Sequence, residues 1–273
     1  MSDQAALAAH FLELHRPGDP LLIPNPWDAG SARLLASLGF QALATTSSGF
    51  AATLGRMDGS VTRDEALGHA ADIVRATPLP VSADLENGFA EDVDGVAETA
   101  RGAVAAGLAG FSIEDYSGVS QRVYDHHEAT ERVRTAVAVA HGGPVHVVVT
   151  ARAENYLRGN PDLDDTIARL RAYQEAGADV LYAPGPTDPE VIGAIVSALD
   201  APVNVLARGG GPTVAELAQL GVARISVGGA FAFVAIEAVV AAATELRDQG
   251  TYGFAERVGP GARAAAAAFR APQ

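Results

Sequence analysis

With 273 residues, 48% of them hydrophobic, the chain is long enough for one large domain whose core needs no staple. A net charge of −14 excludes the basic stripe that nucleic acid demands and the polybasic patch that an anionic membrane demands. Cysteine is absent and all 19 basic residues are arginine, which removes thiolate nucleophiles, Cys-ligated zinc and lysine Schiff-base chemistry, pyridoxal phosphate included.

Short β-rich apolar runs alternate with helical patterns from end to end. Strands are predicted at 21–24, 42–45, 80–84, 110–114, 145–152, 180–183, 203–206 and 224–227. Helices are predicted near 28–38, 62–76, 93–106, 128–140, 164–176, 188–198 and 213–220, with another from 231 to about 248. Thr62 with Glu65 and Thr213 with Glu216 form capping boxes, and Gly39, Gly107, Gly177 and Gly221 stand where helices should stop. Eight strands each followed by a helix imply parallel pairing with right-handed crossovers. The count of eight favours a closed (β/α)8 TIM-type barrel over an open sheet. Residues 1–273 are expected to form this single domain, with a C-terminal helical extension over about 231–273. The alanine-rich run 262–269 reads as a helix, packed on a neighbouring subunit or capping its own barrel. The N-terminus lacks a basic start followed by an apolar run, and no stretch reaches the roughly 20 apolar residues of a membrane span. A soluble, cytoplasmic protein is expected.

Barrel active sites lie at the C-terminal ends of the strands, so the polar residues there carry the functional argument. The third strand ends Asp84-Leu85-Glu86-Asn87-Gly88, and residues two apart on a strand share a face. Asp84 and Glu86 then point together into the mouth, where they repel unless a cation or proton neutralises them. Glu114 ends the neighbouring strand and Asp58 lies in the loop after the second. Four acids on one rim, without thiol or lysine, suit a hard ion: Mg²⁺, with Mn²⁺ as substitute, some of the acids acting through water. The bland alternative is solvated loop acids in an acidic protein.

Arg152 and Glu154 end the fifth strand, the arginine placed to clamp a substrate carboxylate, or simply to pair with Glu154. Thr45-Thr46-Ser47-Ser48-Gly49 reads as a small-residue turn that can aim N–H groups at an oxyanion. Gly209-Gly210-Gly211 and Gly228-Gly229 follow the last two strands, where many barrels hold phosphate, although tight turns also need glycine. Residues 116–127 form the one long polar loop, a lid that could bring Tyr124, His126 or His127 as acid or base; surface decoration is the alternative.

Pro24-Asn25-Pro26-Trp27-Asp28-Ala29-Gly30-Ser31, Thr45-Thr46-Ser47-Ser48-Gly49, Leu54-Gly55-Arg56-Met57-Asp58, Asp84-Leu85-Glu86-Asn87-Gly88, Ile113-Glu114-Asp115 and Ala151-Arg152-Ala153-Glu154 follow in a specific order and spacing. In that order they resemble the isocitrate lyase/phosphoenolpyruvate mutase superfamily over most of the chain. The resemblance implies that Asp84, Glu86 and Glu114 hold Mg²⁺ and that Asp58 reaches it through water. It implies further that Thr46, Ser47 and Ser48 receive the substrate carboxylate, that Arg152 binds the substrate, and that Asn204 does so by a looser match. Homodimers or homotetramers exchanging a C-terminal helix are implied as well. The loop Ser117-Gly118-Val119-Ser120-Gln121-Arg122-Val123-Tyr124-Asp125 departs from the lyase branch, having neither its lysine nor its catalytic cysteine. It also lacks the lysine and asparagine of the mutase and phosphonopyruvate hydrolase loop, and Tyr182-Ala183-Pro184-Gly185 lacks the lyase glutamate.

The expected function is therefore a Mg²⁺-dependent carbon–carbon lyase for a small 2-oxo or 2-hydroxy carboxylate, like an oxaloacetate decarboxylase or methylisocitrate lyase. Arg152 and Asp58, with Tyr124 or His126, are its expected catalytic groups. A 2-oxo-acid-binding protein that has lost turnover, a P–C bond enzyme, and a barrel for phosphorylated substrates stay open as alternatives.

Overall fold

A computed structural model describes residues 2–270. The first half of the chain runs α1 (Ser2–Glu13), β1 (Leu21–Ile23), α2 (Ala29–Ser37), β2 (Leu43–Ala44), α3 (Ser47–Thr53), α4 (Arg63–Ala76), β3 (Val81–Asp84), α5 (Val93–Ala105) and β4 (Gly110–Glu114). A short hairpin, β5 (Tyr116–Ser117) and β6 (Arg122–Val123), leads into α6 (His126–His141) and β7 (Val148–Arg152). Then come α7 (Leu163–Glu175), β8 (Val180–Tyr182), α8 (Pro189–Ser197), β9 (Val203–Leu206), α9 (Val214–Gln219) and β10 (Arg224–Ser226). Two helices end the chain, α10 (Ala230–Gln249) and α11 (Ala255–Phe269).

Eight strands pair in parallel in the order β1-β10-β9-β8-β7-β4-β3-β2. The seam between β1 and β2 is closed by Ala44 N–H donating to Pro24 O at 3.1 Å. Asn25 reinforces it from both sides. Its Nδ2 donates to Thr45 O at 3.0 Å, and its Oδ1 accepts from Val227 and Gly228 N–H at 3.0 and 2.9 Å. The result is the expected (β/α)8 barrel, and all eight predicted strands are present. The reciprocal Thr62–Glu65 and Thr213–Glu216 caps form as their spacing implies. Gly177 ends α7 at φ 98°, and a Cβ there would sit 3.0 Å from Val137 Cγ1. No described helix is long and apolar enough to cross a membrane.

Three local elements depart from expectation. The first is α1, which seals the strand N-terminal end: Phe11 is fully buried, and a Cβ on Gly110 would lie 2.8 Å from its ring. Residues 47–53 form a helix rather than a turn, because the Thr46 side chain accepts from Gly49 N–H and caps it. The supposed lid is a hairpin pinned at its base by Tyr124 N–H donating to Asp115 O at 2.8 Å.

At the far end, α10 leaves the barrel with Ala232 as its one buried residue, and α11 returns to its own barrel to lie against α2, Phe269 reaching 3.9 Å from where a Gly30 Cβ would be.

One buried histidine gives the fold a pH signature. His15 follows α1; burial, then the nearby Arg224 charge, push its pKa down to about 3. Neutral imidazole is therefore the folded form, whereas the unfolded chain takes up a proton near pH 6.5. Stability should fall below about pH 6.5, by up to about 1.4 kcal/mol per pH unit, and level off near pH 3. His15→Gln should flatten that part of the curve; urea unfolding at several pH values reads it, and an unchanged slope would count against the buried neutral ring.

Candidate active site

The C-terminal rim gathers acids from three neighbouring strands. Asp84 ends β3, with its N–H donating to Thr45 Oγ1 at 3.0 Å. Its Oδ2 accepts from Ser47 N–H at 3.3 Å and its Oδ1 from Glu86 N–H at 3.4 Å. Glu86 lies beyond the strand, and its φ of 47° puts it in the left-handed region, so strand parity does not aim its side chain. Such a backbone is costly for a residue with a Cβ and tends to survive where the surroundings dictate it. The neighbouring strand helps to fix the turn, Glu114 N–H donating to Glu86 O at 2.9 Å.

Two guanidiniums face these acids. Arg152 ends β7; its Nη1 lies 3.2 Å from Glu114 Oε2 and 3.9 Å from Asp84 Oδ1, and its Nε donates to Glu154 Oε1. Arg158 Nη2 lies 3.2 Å from Glu154 Oε2 and 3.7 Å from Glu114 Oε1, its guanidinium stacked 3.5 Å over the Tyr116 ring. Asp84, Glu86, Glu114 and Glu154 against Arg152 and Arg158 make four carboxyl groups to two guanidiniums, an excess of two acidic groups.

Glu86 shows that excess most clearly. Burial, then the charges of Asp84 and Asp58, push its pKa up to about 8, and its Oε1 is buried without a hydrogen-bond partner. Burial also raises Glu114, with Arg152 opposing and Glu154 and Asp84 adding to the rise. Burial works against the Arg152 charge, but Glu114 and Glu154 more than offset it, so the guanidinium stays charged. Carboxyl oxygens, an orphaned Oε1 and two acids more than the guanidiniums can pair form a donor set that suits a hard divalent cation, whose charge would favour their ionised forms.

Below the rim, Asp115 anchors the arrangement. Its carboxylate accepts from Glu154 N–H at 2.7 Å, Arg169 Nη1 at 3.1 Å and the Tyr173 hydroxyl at 2.5 Å. A cavity descends from the rim into the barrel, lined by Asn25, Thr46, Asp84, Arg152, Tyr182 and Arg224 among others.

Comparison with known proteins settles the family. The phosphoenolpyruvate phosphomutase family model matches residues 11–247. The chain belongs to this family. It is 31% identical over 208 residues to a 2-methylisocitrate lyase of Halalkalibacterium halodurans, covering 73% of this chain and 67% of that one. A crystal structure from Burkholderia cenocepacia, described as a lyase/mutase, shares 52% identity at a TM-score of 0.95, covering 100% of this chain and 99% of that one. Oxaloacetate acetylhydrolase bound to its product oxalate superposes with a TM-score of 0.86 at 27% identity, covering 97% and 94%. The chain is thus an enzyme of the isocitrate lyase/phosphoenolpyruvate mutase superfamily, whose members are carbon–carbon lyases and mutases.

Within this family member the expected site residues separate into groups. Asp84, Glu86, Glu114 and Arg152 come together at one rim. Asp58 is exposed in the loop after α3, close enough for its charge to act on Glu86. Thr46 lines the cavity, its Oγ1 3.2 Å from Ser48 Oγ, and Ser47 is tied to Asp84. Asn204 is buried with its Nδ2 donating to Ser226 Oγ at 3.1 Å, so it reaches the cavity through that serine.

Tyr124 and His126 are placed elsewhere. The Tyr124 hydroxyl is buried between Asn87 Nδ2 at 2.9 Å and Glu91 Oε1 at 3.1 Å, under the Arg132 guanidinium. His126 is exposed at the start of α6, with its Nε2 2.6 Å from Asp165 Oδ1. The glycines after the last strand have a packing reason: a Cβ on Gly229 would meet Ser48 Oγ at 2.5 Å. Sequence reasoning passed over Tyr182, which ends β8 and lines the cavity 5.4 Å from the Arg152 guanidinium. An aromatic hydroxyl at a barrel strand's C-terminal end was the available signal.

Proposed function

We propose that this chain is a Mg²⁺-dependent lyase that breaks a carbon–carbon bond in a small 2-oxo or 2-hydroxy carboxylate. The observation that carries it is the excess of two carboxyl groups over guanidiniums at the rim, with Glu86 pushed up to about 8 and its Oε1 unpartnered. Asp84, Glu86 and Glu114 would hold the ion, with Asp58 reaching it through water. Once bound, the ion would neutralise the cluster and lower the cost of negative charge on a substrate oxygen.

The chain's own groups do the rest. Arg152 orients the substrate carboxylate and faces the oxygen on which charge develops, while Thr46, Ser47 and Ser48 flank the opposite side. In a 2-oxo acid such as oxaloacetate the C3–C4 bond breaks, CO2 leaves and the electron pair stays as an enolate with its charge on that oxygen. A proton delivered to C3 completes pyruvate. In a 2-hydroxy acid the 2-hydroxyl gives up its proton and the C2–C3 bond breaks to form the 2-oxo acid at C2. A proton delivered to C3 of the departing fragment completes the released carboxylate. The donor in this scheme is the Tyr182 hydroxyl, which lines the cavity and which burial keeps protonated.

The test is release of pyruvate or another 2-oxo acid from a panel containing oxaloacetate, 2-methylisocitrate, dimethylmalate and phosphonopyruvate, with Mg²⁺ and then with EDTA. At least one carbon–carbon substrate should turn over with Mg²⁺ and stop in EDTA, and Tyr182→Phe should slow it about 10²-fold or more. Undiminished turnover in EDTA would remove the metal from the scheme. Turnover of phosphonopyruvate alone would move the enzyme to P–C chemistry.

A second reading is a barrel that binds 2-oxo acids without turning them over. It draws on the engagement of Tyr124 and His126 away from the cavity. Binding without product across the whole panel is its signature.

The assembly proposed is a homodimer or homotetramer. Phe233, Ile236, Val239 and Val240 on α10 are 50, 43, 68 and 58% exposed, an apolar face that a second copy would cover. Sedimentation of a single-chain species at micromolar concentration would oppose it.

A further inference from the structure

Imidazole plays no part in the carboxylate site, yet two histidines meet a carboxylate at the opposite end of the barrel. His141 ends α6, His146 stands before β7 and Asp179 before β8, all at the N-terminal side of the strands. His141 Nε2 lies 3.0 Å from Asp179 Oδ2, and His146 Nε2 lies 2.7 Å from Asp179 Oδ1. One ligand atom from each residue falls within 4.8 Å of the others. The two rings stack at 3.7 Å with 18° between their planes, so both Nε2 atoms face the same carboxylate side by side.

The carboxylate is held from behind. Val149 N–H donates to its Oδ2 at 2.8 Å, and Asp179 N–H in turn donates to Val149 O at 3.0 Å. Such backing orients a ligand in advance. Among the described residues Asp179 has no arginine partner, its two ion-pair contacts being these histidines. Burial opposes the Asp179 charge, but the bonds from His141, Val149 N–H and His146 hold its carboxyl below the usual range. The His146 side chain is 48% exposed, which opens a path from solvent and leaves it room to tilt.

We propose that His141, His146 and Asp179 form a second metal site, for a borderline divalent ion such as Zn²⁺. The ion takes the place of the two Nε2 protons. Ligation asks each ring to offer a bare Nε2, with its remaining proton on Nδ1, and asks His146 to tilt so that the two lone pairs turn toward one point. Two imidazoles and one carboxylate are the three-protein-ligand pattern of Zn²⁺, with the fourth position left to water. Imidazole also separates this site from the rim, since all-oxygen donors suit Mg²⁺ and mixed nitrogen–oxygen donors suit Zn²⁺, Co²⁺, Ni²⁺ or Cu²⁺. Strand β7 alone puts roughly 13 Å between the two ends, so an ion here takes no part in the chemistry at the rim; it would tie the end of α6 to the starts of β7 and β8. Nothing in this site depends on which reaction the rim performs.

The test titrates Zn²⁺ by calorimetry into the full chain, in excess Mg²⁺, for wild type, His146→Ala and His141→Ala. Wild type should take up one Zn²⁺ per chain, and each variant should bind it at least tenfold more weakly. Co²⁺ should give wild type a visible absorption band from imidazole ligation that both variants lose, and Zn²⁺ should raise the Tm of wild type only. Since His146 is half exposed, its variant should keep the wild-type circular dichroism, so that variant alone suffices if His141→Ala fails to fold. Equal Zn²⁺ affinity in wild type and His146→Ala, or a wild type without the Co²⁺ band, overturns the site.

Discussion

Arg152→Gln should lower kcat/KM by about 10²–10³-fold or more, the usual cost of removing one preorganised group that faces developing negative charge. The guanidinium stands between Glu114 and Glu154 at the end of β7, within 3.9 Å of Asp84. Its loss removes the positive fork from the cavity and leaves three carboxylates answering only to Arg158 and to any bound cation. The variant should therefore also be less stable without Mg²⁺, by about 3–5 kcal/mol at most, because buried carboxylates lose their partner. Added Mg²⁺ should restore much of that stability and little of the rate. Arg152→Lys keeps the charge but not the planar fork, so it should recover stability better than turnover. Steady-state kinetics and urea unfolding, each with and without Mg²⁺, separate these effects. A variant with wild-type kcat/KM would show that Arg152 is only a brace between glutamates.

Asp115→Ala should be the most destabilising single change near the site, by about 3–5 kcal/mol. Asp115 is 3% exposed and accepts from Arg169, Tyr173 and the Glu154 backbone. Without it the Arg169 charge and the Tyr173 hydroxyl are left buried without that acceptor. Glu154 also loses its backbone anchor, and Arg152, held by Glu154, loosens with it. Activity should therefore fall in the folded fraction even though Asp115 does not line the cavity. Asp115→Asn keeps the volume and one acceptor, so it should sit between wild type and alanine in both measurements. Wild-type stability in Asp115→Ala would mean that this buried cluster does not support the rim.

The barrel was legible because strand and helix periods alternate eight times, and the caps at Thr62 and Thr213 mark helix starts with side chains that read locally. Elements held by tertiary contact were not. The α1 helix is fixed by Phe11 packing on Gly110, a contact across about a hundred residues that no local pattern encodes. At the rim, the residue types lead to the expectation of gathered acids. The structure does bring Asp84 and Glu114 together around Arg152, by a route that strand parity describes only in part. Strand parity implies a shared face for Asp84 and Glu86, whereas the strand stops at Asp84 and the left-handed backbone of Glu86 itself aims that side chain. Polar residues on a long loop suggested a lid, but Tyr124 turns inward to Asn87 and Glu91. Glu114 and Asp115 divide the labour at the end of β4: Glu114, the last strand residue, joins the rim cluster, and Asp115, just beyond it, binds Arg169 and Tyr173 on α7.

The presence of a cation at the rim is tested most directly by Mg²⁺ calorimetry on wild type, Asp84→Asn and His146→Ala. One Mg²⁺ per chain should bind wild type and His146→Ala alike, and Asp84→Asn should bind it at least tenfold more weakly. No saturable Mg²⁺ binding to wild type, or equal binding to Asp84→Asn, would mean that these carboxylates gather for some reason other than a metal.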